Sequence, residues 1–263
     1  KWFLVVFSFF LLLIITIGIY KFRDGFLYYL GFKTDKYANE LSADERKLTD
    51  IRIYEVLHKH DNKAIGFDVS EYQSEIDWEQ TYHIDEAFEL SFVFIRSTAG
   101  KDKIDSKFKE NWKAAKERQL IRGAYHYYRP NANSIEQAEN FIKTVKLQKG
   151  DLPPVLDIEK LPKSQSIDSL KVGLRRWLNR IEKHYKVKPI IYSGESYYTD
   201  FLKEEFSEYP LWIANYNFWR NDLESDWQFW QFTEKAQIEG IKGMVDINIF
   251  NGDKNKLLLK CIR

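Results

Sequence analysis

The chain is nearly without cysteine. Of its 263 residues only Cys261 carries a thiol, so no internal disulfide can form, and cysteine usage leaves the redox compartment open. Charge of one sign is not in excess either: 40 Lys and Arg stand against 39 acids, for a net charge of +1 and no long basic run. That balance argues against a nucleic-acid partner. The five histidines, His58, His60, His83, His126 and His184, form no cluster with cysteine. The pair His58-x-His60 is therefore read as a solvated face, and no metal site is expected.

What the chain does have is apolar and aromatic content, 44% and 16%, enough for one sizeable core with appendages. Residues 2–20 carry no charge. As a helix they would extend about 28 Å, against about 30 Å for the hydrocarbon core of a bilayer. Apolar residues on every face speak against a buried core helix. No small-x-small site follows in Gly18-Ile19-Tyr20-Lys21-Phe22-Arg23, so residues 1–20 are expected to be an uncleaved transmembrane anchor rather than a cleaved signal peptide. Lys1 lies before this run and Lys21 and Arg23 after it, so flanking charge does not set its orientation.

Residues 21–63 mix nine basic with eight acidic side chains and read as a charged stalk. One helix is expected there. Ser42 with Glu45 forms a capping-box pattern, and Leu48, Ile51, Tyr54 and Leu57 follow at spacings of three as a narrow apolar stripe.

Residues 64–263 alternate short apolar segments with amphipathic ones. Strands are expected at residues 65–69, 91–96, 121–127, 154–159, 188–193, 210–214, 227–232 and 245–249. Helices are expected over residues 105–118, after a Ser134/Gln137 capping box, and along Leu170, Leu174, Trp177, Leu178, Ile181 and Tyr185. Eight strands alternating with helices predict a closed α/β barrel. The last connections are too short for full helices, so the closing quarter is expected to be a meander or to hold only single turns.

Leu156-Asp157-Ile158-Glu159 ends the fourth of these strands. Side chains at i and i+2 of a strand share a face, with Cα atoms about 6.5 Å apart, and barrel chemistry gathers at strand C-termini. Glycoside cleavage needs such a pair, one acid to protonate the leaving oxygen and one anion facing an oxocarbenium-like centre. Asp68 ends the first strand and Asp246 lies in the last, and these are neighbours in a closed barrel. Four acids are therefore expected to converge. Tyr127, Tyr192, Trp212, Tyr216 and Gln231 are the candidates for lining the cleft, since sugars offer apolar C–H faces to rings and hydroxyls to polar tips.

Ordered motifs extend this pattern over about 190 residues: Gly66-Phe67-Asp68-Val69-Ser70 with Gln73, Phe92-Val93-Phe94-Ile95-Arg96-Ser97-Thr98 with Gly100, and Gly123-Ala124-Tyr125-His126-Tyr127-Tyr128. Further on come Pro154-Val155-Leu156-Asp157-Ile158-Glu159, Ile191-Tyr192-Ser193, Leu211-Trp212-Ile213-Ala214-Asn215-Tyr216, Trp230-Gln231-Phe232 and Val245-Asp246-Ile247-Asn248. In these the chain resembles glycoside hydrolase family 25, the N-acetylmuramidases called Chalaropsis-type lysozymes. The resemblance implies an irregular TIM-like barrel of five βα units and three further strands. It implies hydrolysis of the β-1,4 bond between N-acetylmuramic acid and N-acetylglucosamine, without a cofactor. In that scheme Glu159 is the general acid and base, Asp157 stabilises an oxazolinium formed by the substrate's own 2-acetamido group, and Asp68 and Asp246 tune the pair.

The chain departs from the pattern at Ala99, where relatives commonly carry an acid, which affects a rim contact only. A family 18-like chitinase would need acids where Leu152 and Val155 stand. The other alternative is a catalytically silent glycan-binding module, which would bind muropeptides without releasing reducing ends. The expected protein is thus a monomeric glycoside hydrolase with peptidoglycan strands as its partner. It would be held to a membrane by its N-terminal helix, with the catalytic domain outside the cytoplasm, periplasmic or at the cell surface.

Overall fold

The computed structural model describes Trp2 and residues 41–224 and 226–263. The chain divides into two compact units, Lys1–Ala43 and Asp44–Arg263, the second of which holds every described strand. Residues 3–20 of the expected anchor and residues 21–40 of the expected stalk lie outside the described residues. Among the described residues, no helix is long and apolar enough to cross a membrane.

Eight strands close a barrel. They are β1 (Ile65–Val69), β3 (Phe88–Ala99), β5 (Ile121–Tyr127), β6 (Val155–Asp157), β7 (Ile190–Gly194), β8 (Leu211–Ala214), β9 (Phe229–Ala236) and β10 (Val245–Phe250). Each pairs with the next, and β1 completes the ring by pairing with both β10 and β3. Two short strands outside the ring, β2 (His83–Ile84) and β4 (Lys103–Ile104), extend β3 at its two ends; at two residues each they are too short to leave a periodic signal. All barrel strands run in one direction except β10, which is antiparallel to both neighbours.

The strands are apolar on both faces, as a covered parallel sheet requires. On β3, Val93 and Ile95 join the larger core with the helices, whereas Phe92 and Phe94 join Tyr192, Trp212 and Phe229 in the smaller one. Phe94 stacks on Trp212 with centroids 4.3 Å apart and meets Phe229 edge-on at 5.1 Å. This aromatic layer fills the lumen. Glycines make room for it: a Cβ on Gly66 would stand 2.4 Å from the Phe92 carbonyl oxygen, and one on Gly123 would stand 2.5 Å from the Phe94 ring. Buried Cys261 and Leu257 belong to the same core. Burial pushes the Cys261 thiol up to about 11.

Helices α2 (Phe108–Glu117), α3 (Ser134–Thr144) and α4 (Ile167–Tyr185) follow β3, β5 and β6, and residues 195–206 form short helical turns after β7. The connection after β1 holds only two 3₁₀ turns, Glu71–Gln73 and Trp78–Gln80, the first closed by a Ser70/Gln73 capping box. Among the described residues, the connections after β3, β5, β6 and β7 therefore carry α-helical turns, and the one after β1 carries 3₁₀ turns alone. The α4 face is buried at Leu170, Leu174, Trp177, Leu178 and Ile181, as the spacing predicts.

The α3 cap differs from expectation. Asn133 accepts from Ile135 N and Glu136 N, while Gln137 turns inward: its Oε1 accepts from Arg129 N and its Nε2 donates to the Arg129 and Ala132 carbonyls. A buried amide is stable only with such partners, and these take Gln137 away from a capping box.

The expected helix near the start is α1 (Ala43–Lys59), but its buried face is not the spacing-three row. Leu48, Ile51 and Tyr54 are exposed, and Ile53, Val56 and Leu57 are buried. Steps of three residues slip backwards around a helix of 3.6 residues per turn, so the row winds off the contact face. Arg52 makes the contact polar as well as apolar. Its guanidinium donates to the carbonyls of Phe232 at 2.7 Å, Asn217 at 2.9 Å and Phe218 at 3.3 Å, and burial lowers its pKa to about 10. His60 is likewise not solvated; it lies edge-on to Trp230 with its Nε2 3.0 Å from the Asn221 carbonyl.

Behind β5, His126 is fully buried against the Trp177 ring at 5.5 Å. Its Nδ1 accepts the Thr98 hydroxyl at 2.7 Å and its Nε2 lies 3.2 Å from Gln137 Oε1. Burial lowers its pKa from 6.5 to about 3. A depressed histidine stays neutral in the fold while the unfolded chain takes up a proton, so its contribution is intact above pH 6.5 and is lost as pH falls towards 3. The expected loss is about 1.4 kcal/mol per pH unit, or about 2 kcal/mol between pH 6.5 and 5. Denaturant titrations at pH 7 and pH 5 check this, with His126→Gln expected to lack that part of the pH dependence.

Candidate active site

The C-terminal ends of the parallel strands define one mouth. Because β10 runs the opposite way, its beginning lies at the same end, and the register sets Asp246 against Asp68. Both side chains are buried. Asp157 ends β6 beside Tyr127 of β5 and Tyr192 of β7. Glu159 falls beyond the strand, so it does not share a strand face with Asp157 as the i, i+2 spacing predicts. Ladder pairing stops at Asp157, and side-chain and loop contacts hold the residues after it. Ile158 N donates to the Tyr192 carbonyl at 3.0 Å, Ser193 Oγ to the Ile158 carbonyl at 2.8 Å and the Tyr197 hydroxyl to the Lys160 carbonyl at 3.0 Å. The backbone on either side of half-buried Glu159 is thereby fixed.

Two tyrosines on β5 report how the acids are grouped. Burial pushes the Tyr125 hydroxyl well above its usual pKa; Arg96 opposes the shift and Asp68, Asp157 and Asp246 add to it. Tyr127 is raised by burial too, and then by Glu159 and Asp157. Three carboxylates therefore act on one phenol and two on the next, with Asp157 common to both. All four predicted acids are brought to the one mouth.

Asp68 sits in a net of donors. Its Oδ2 accepts from Gln231 Nε2 at 2.7 Å and from Asn248 Nδ2 at 2.9 Å. Gln231 Oε1 in turn accepts the Tyr192 hydroxyl at 2.7 Å and the Tyr216 hydroxyl, and Asn248 Oδ1 accepts Trp212 Nε1 at 2.7 Å. At 1% and 2% exposure, Trp212 and Gln231 build the floor beneath the mouth, and Tyr192 is buried with them. Of these three, Gln231 bonds Asp68 directly, Tyr192 bonds Gln231, and Trp212 stacks on Phe94 in the lumen. Tyr127 and Tyr216 remain half-buried.

A second polar group braces the rim. Arg96 donates to Asp105 at 2.8 Å and to Glu71 at 2.9 Å, and lies 4.5 Å from the Tyr72 ring centroid. Glu71, bonded also by Lys103 and Ser106, is held at a pKa of about 2, Lys103 being the main cause. Sequence reasoning assigned no role to Arg96, Tyr125 or Asn248. A signal for the last two was present: Tyr125-x-Tyr127 and Asp246-x-Asn248 put both members on the lumen face of a strand.

The family model of glycosyl hydrolases family 25 matches residues 67–241. The chain belongs to that family. The uncharacterized protein YegX of Escherichia coli K12 is 41% identical over 194 residues, 73% of this chain and 71% of that protein. Lysozyme M1 of Streptomyces globisporus is 32% identical over 208 residues, covering 73% and 69%. Among solved structures, a family 25 glycosyl hydrolase from Bacillus anthracis superposes with a TM-score of 0.68 at 28% identity, covering 77% of this chain and 95% of that one. The bacterial lysozyme from Streptomyces coelicolor gives 0.67 at 28% identity, covering 76% and 97%. Among the described residues no group of three or more His, Cys, Asp or Glu side chains is arranged to hold a metal ion, and glycoside hydrolysis by paired carboxyl groups does not require one.

Proposed function

We propose that this family 25 glycoside hydrolase is an N-acetylmuramidase that hydrolyses peptidoglycan at the β-1,4 bond between N-acetylmuramic acid and N-acetylglucosamine. The observation that carries the reading is the placement of Asp68, Asp246, Asp157 and, two residues on, Glu159 at one end of the barrel, by the β1–β10 register and the end of β6. Solved structures of a bacterial lysozyme and of a muramidase share the barrel. Glu159, half-buried and beyond the strand, is placed to give a proton to the leaving oxygen and later to take one from water. Asp157, buried and nearer the lumen, supplies the anion that a positively charged intermediate needs, whether that is an oxocarbenium-like centre or the oxazolinium of substrate assistance. Asp68 and Asp246 set the field around that pair. Half-buried Tyr127 and Tyr216 are the ring faces that meet sugar.

Residues 2–20 anchor the enzyme in a membrane in this reading, with the catalytic unit outside the cytoplasm where the wall lies. Mass spectrometry of the sugar ends released from defined peptidoglycan tests the activity. Muramic acid at the new reducing ends is the expected product; glucosamine ends, or none, would remove the assignment.

A further inference from the structure

The indole N–H of Trp212 can donate and cannot accept. The Asn248 amide must therefore turn its oxygen towards Trp212, which it meets at 2.7 Å. Its nitrogen then has one direction left, towards Asp68 Oδ2 at 2.9 Å. An asparagine amide is ordinarily free to present either end, but here a donor-only neighbour decides which. Gln231 adds a second N–H to the same carboxylate oxygen at 2.7 Å. Two N–H groups aimed at one oxygen favour its charged form, because a proton there would oppose donor to donor.

The surroundings make that choice consequential. Asp246 faces Asp68 from β10; Asp157 on β6 acts on the same Tyr125 of β5, and Arg96 of β3 is the cation in the group. Glu71 follows on the loop after β1 but is engaged with Lys103, Arg96 and Ser106. Neighbouring carboxylates repel one another, so donors aimed at Asp68 matter to its charge.

We propose that Asn248, locked by Trp212, is a positioning residue that holds Asp68 as an oriented anion within the active site. The proposal rests on the muramidase reading for its kinetic consequences, but not for the state of Asp68 itself.

Two variants of the full chain test it, Asn248→Asp and Trp212→Phe. Asn248→Asp replaces a donor with a carboxylate and sets two acids against each other. The acid limb of kcat/KM against pH on purified peptidoglycan is expected to move up by about one pH unit, a roughly tenfold loss below the limb, with KM above the limb within twofold of the parent. Trp212→Phe removes the donor that fixes the Asn248 oxygen and leaves Asp68 alone to orient the amide, and is expected to shift the limb in the same direction by less. Carbon-detected NMR titration of the Asp68 carboxyl is expected to show both displacements without any substrate. Variants that melt earlier while the acid limb and the Asp68 titration stay in place would reduce the pair to a structural role and overturn the proposal. A parental chain that releases no muramic acid ends would end the muramidase reading alone, since the carboxyl titration would still decide the lock.

Discussion

Glu159→Gln is expected to lower kcat on peptidoglycan by about 10²- to 10⁴-fold, equivalent to roughly 3 to 5 kcal/mol of barrier. The substitution keeps the shape of the side chain and removes the transferable proton. Binding should change little, because an interaction made only in the transition state appears in kcat and kcat/KM together. The fold should persist, because bonds at the backbone of Ile158 and Lys160 and the hydroxyls of Ser193 and Tyr197 also hold the segment. Initial rates on purified wall, beside a melting curve for each protein, separate the two effects. A variant digesting at the parental rate would take the proton-donor role away from Glu159.

Asp151→Ala should have the largest effect on stability. Asp151 is buried with Arg122, whose Nε donates to Oδ1 at 2.7 Å and whose second terminal nitrogen donates to Oδ2 at 3.3 Å. Arg122 also donates to the Trp112 carbonyl at 2.6 Å and lies 4.0 Å from that ring's centroid. Asp151 Oδ2 accepts from Gln148 N, and its carbonyl accepts from Ile262 N. One residue thus joins β5, the loop before β6 and the C-terminal segment. Removing a single partner leaves a buried guanidinium without its counter-charge, which costs about 3 to 5 kcal/mol, or on the order of 10 °C in melting temperature for a domain of this size. Calorimetry measures it, and Arg122→Met/Asp151→Leu together should recover part of the loss.

Much of the barrel was legible in the sequence because its strands are buried on both faces and read as short apolar runs between polar ones. The boundaries at Ile65–Val69 and Ile121–Tyr127 coincide with the structure. The site was legible through acids at strand ends, a consequence of where a barrel opens. What failed shares one cause, that local spacing was read without the partner. Leu48, Ile51 and Tyr54 formed a row by count but not by helical angle. Gln137 looked like half of a cap until buried polar groups claimed it. Nor does anything local show that the Trp212 indole N–H and the Gln231 amide end on Asn248 and Asp68. Nor could spacing alone show that Glu159 leaves the ladder just after Asp157.

The reversed direction of β10 has a bearing on timing. Asp68 comes from the first barrel strand, and its braces Gln231 and Asn248 come from the last two. A ribosome-bound chain that has not yet emerged past residue 244 has Glu159 but neither Asp246 nor the Asn248 amide. The hydrogen-bond net around Asp68 therefore closes only once the final strand is in place.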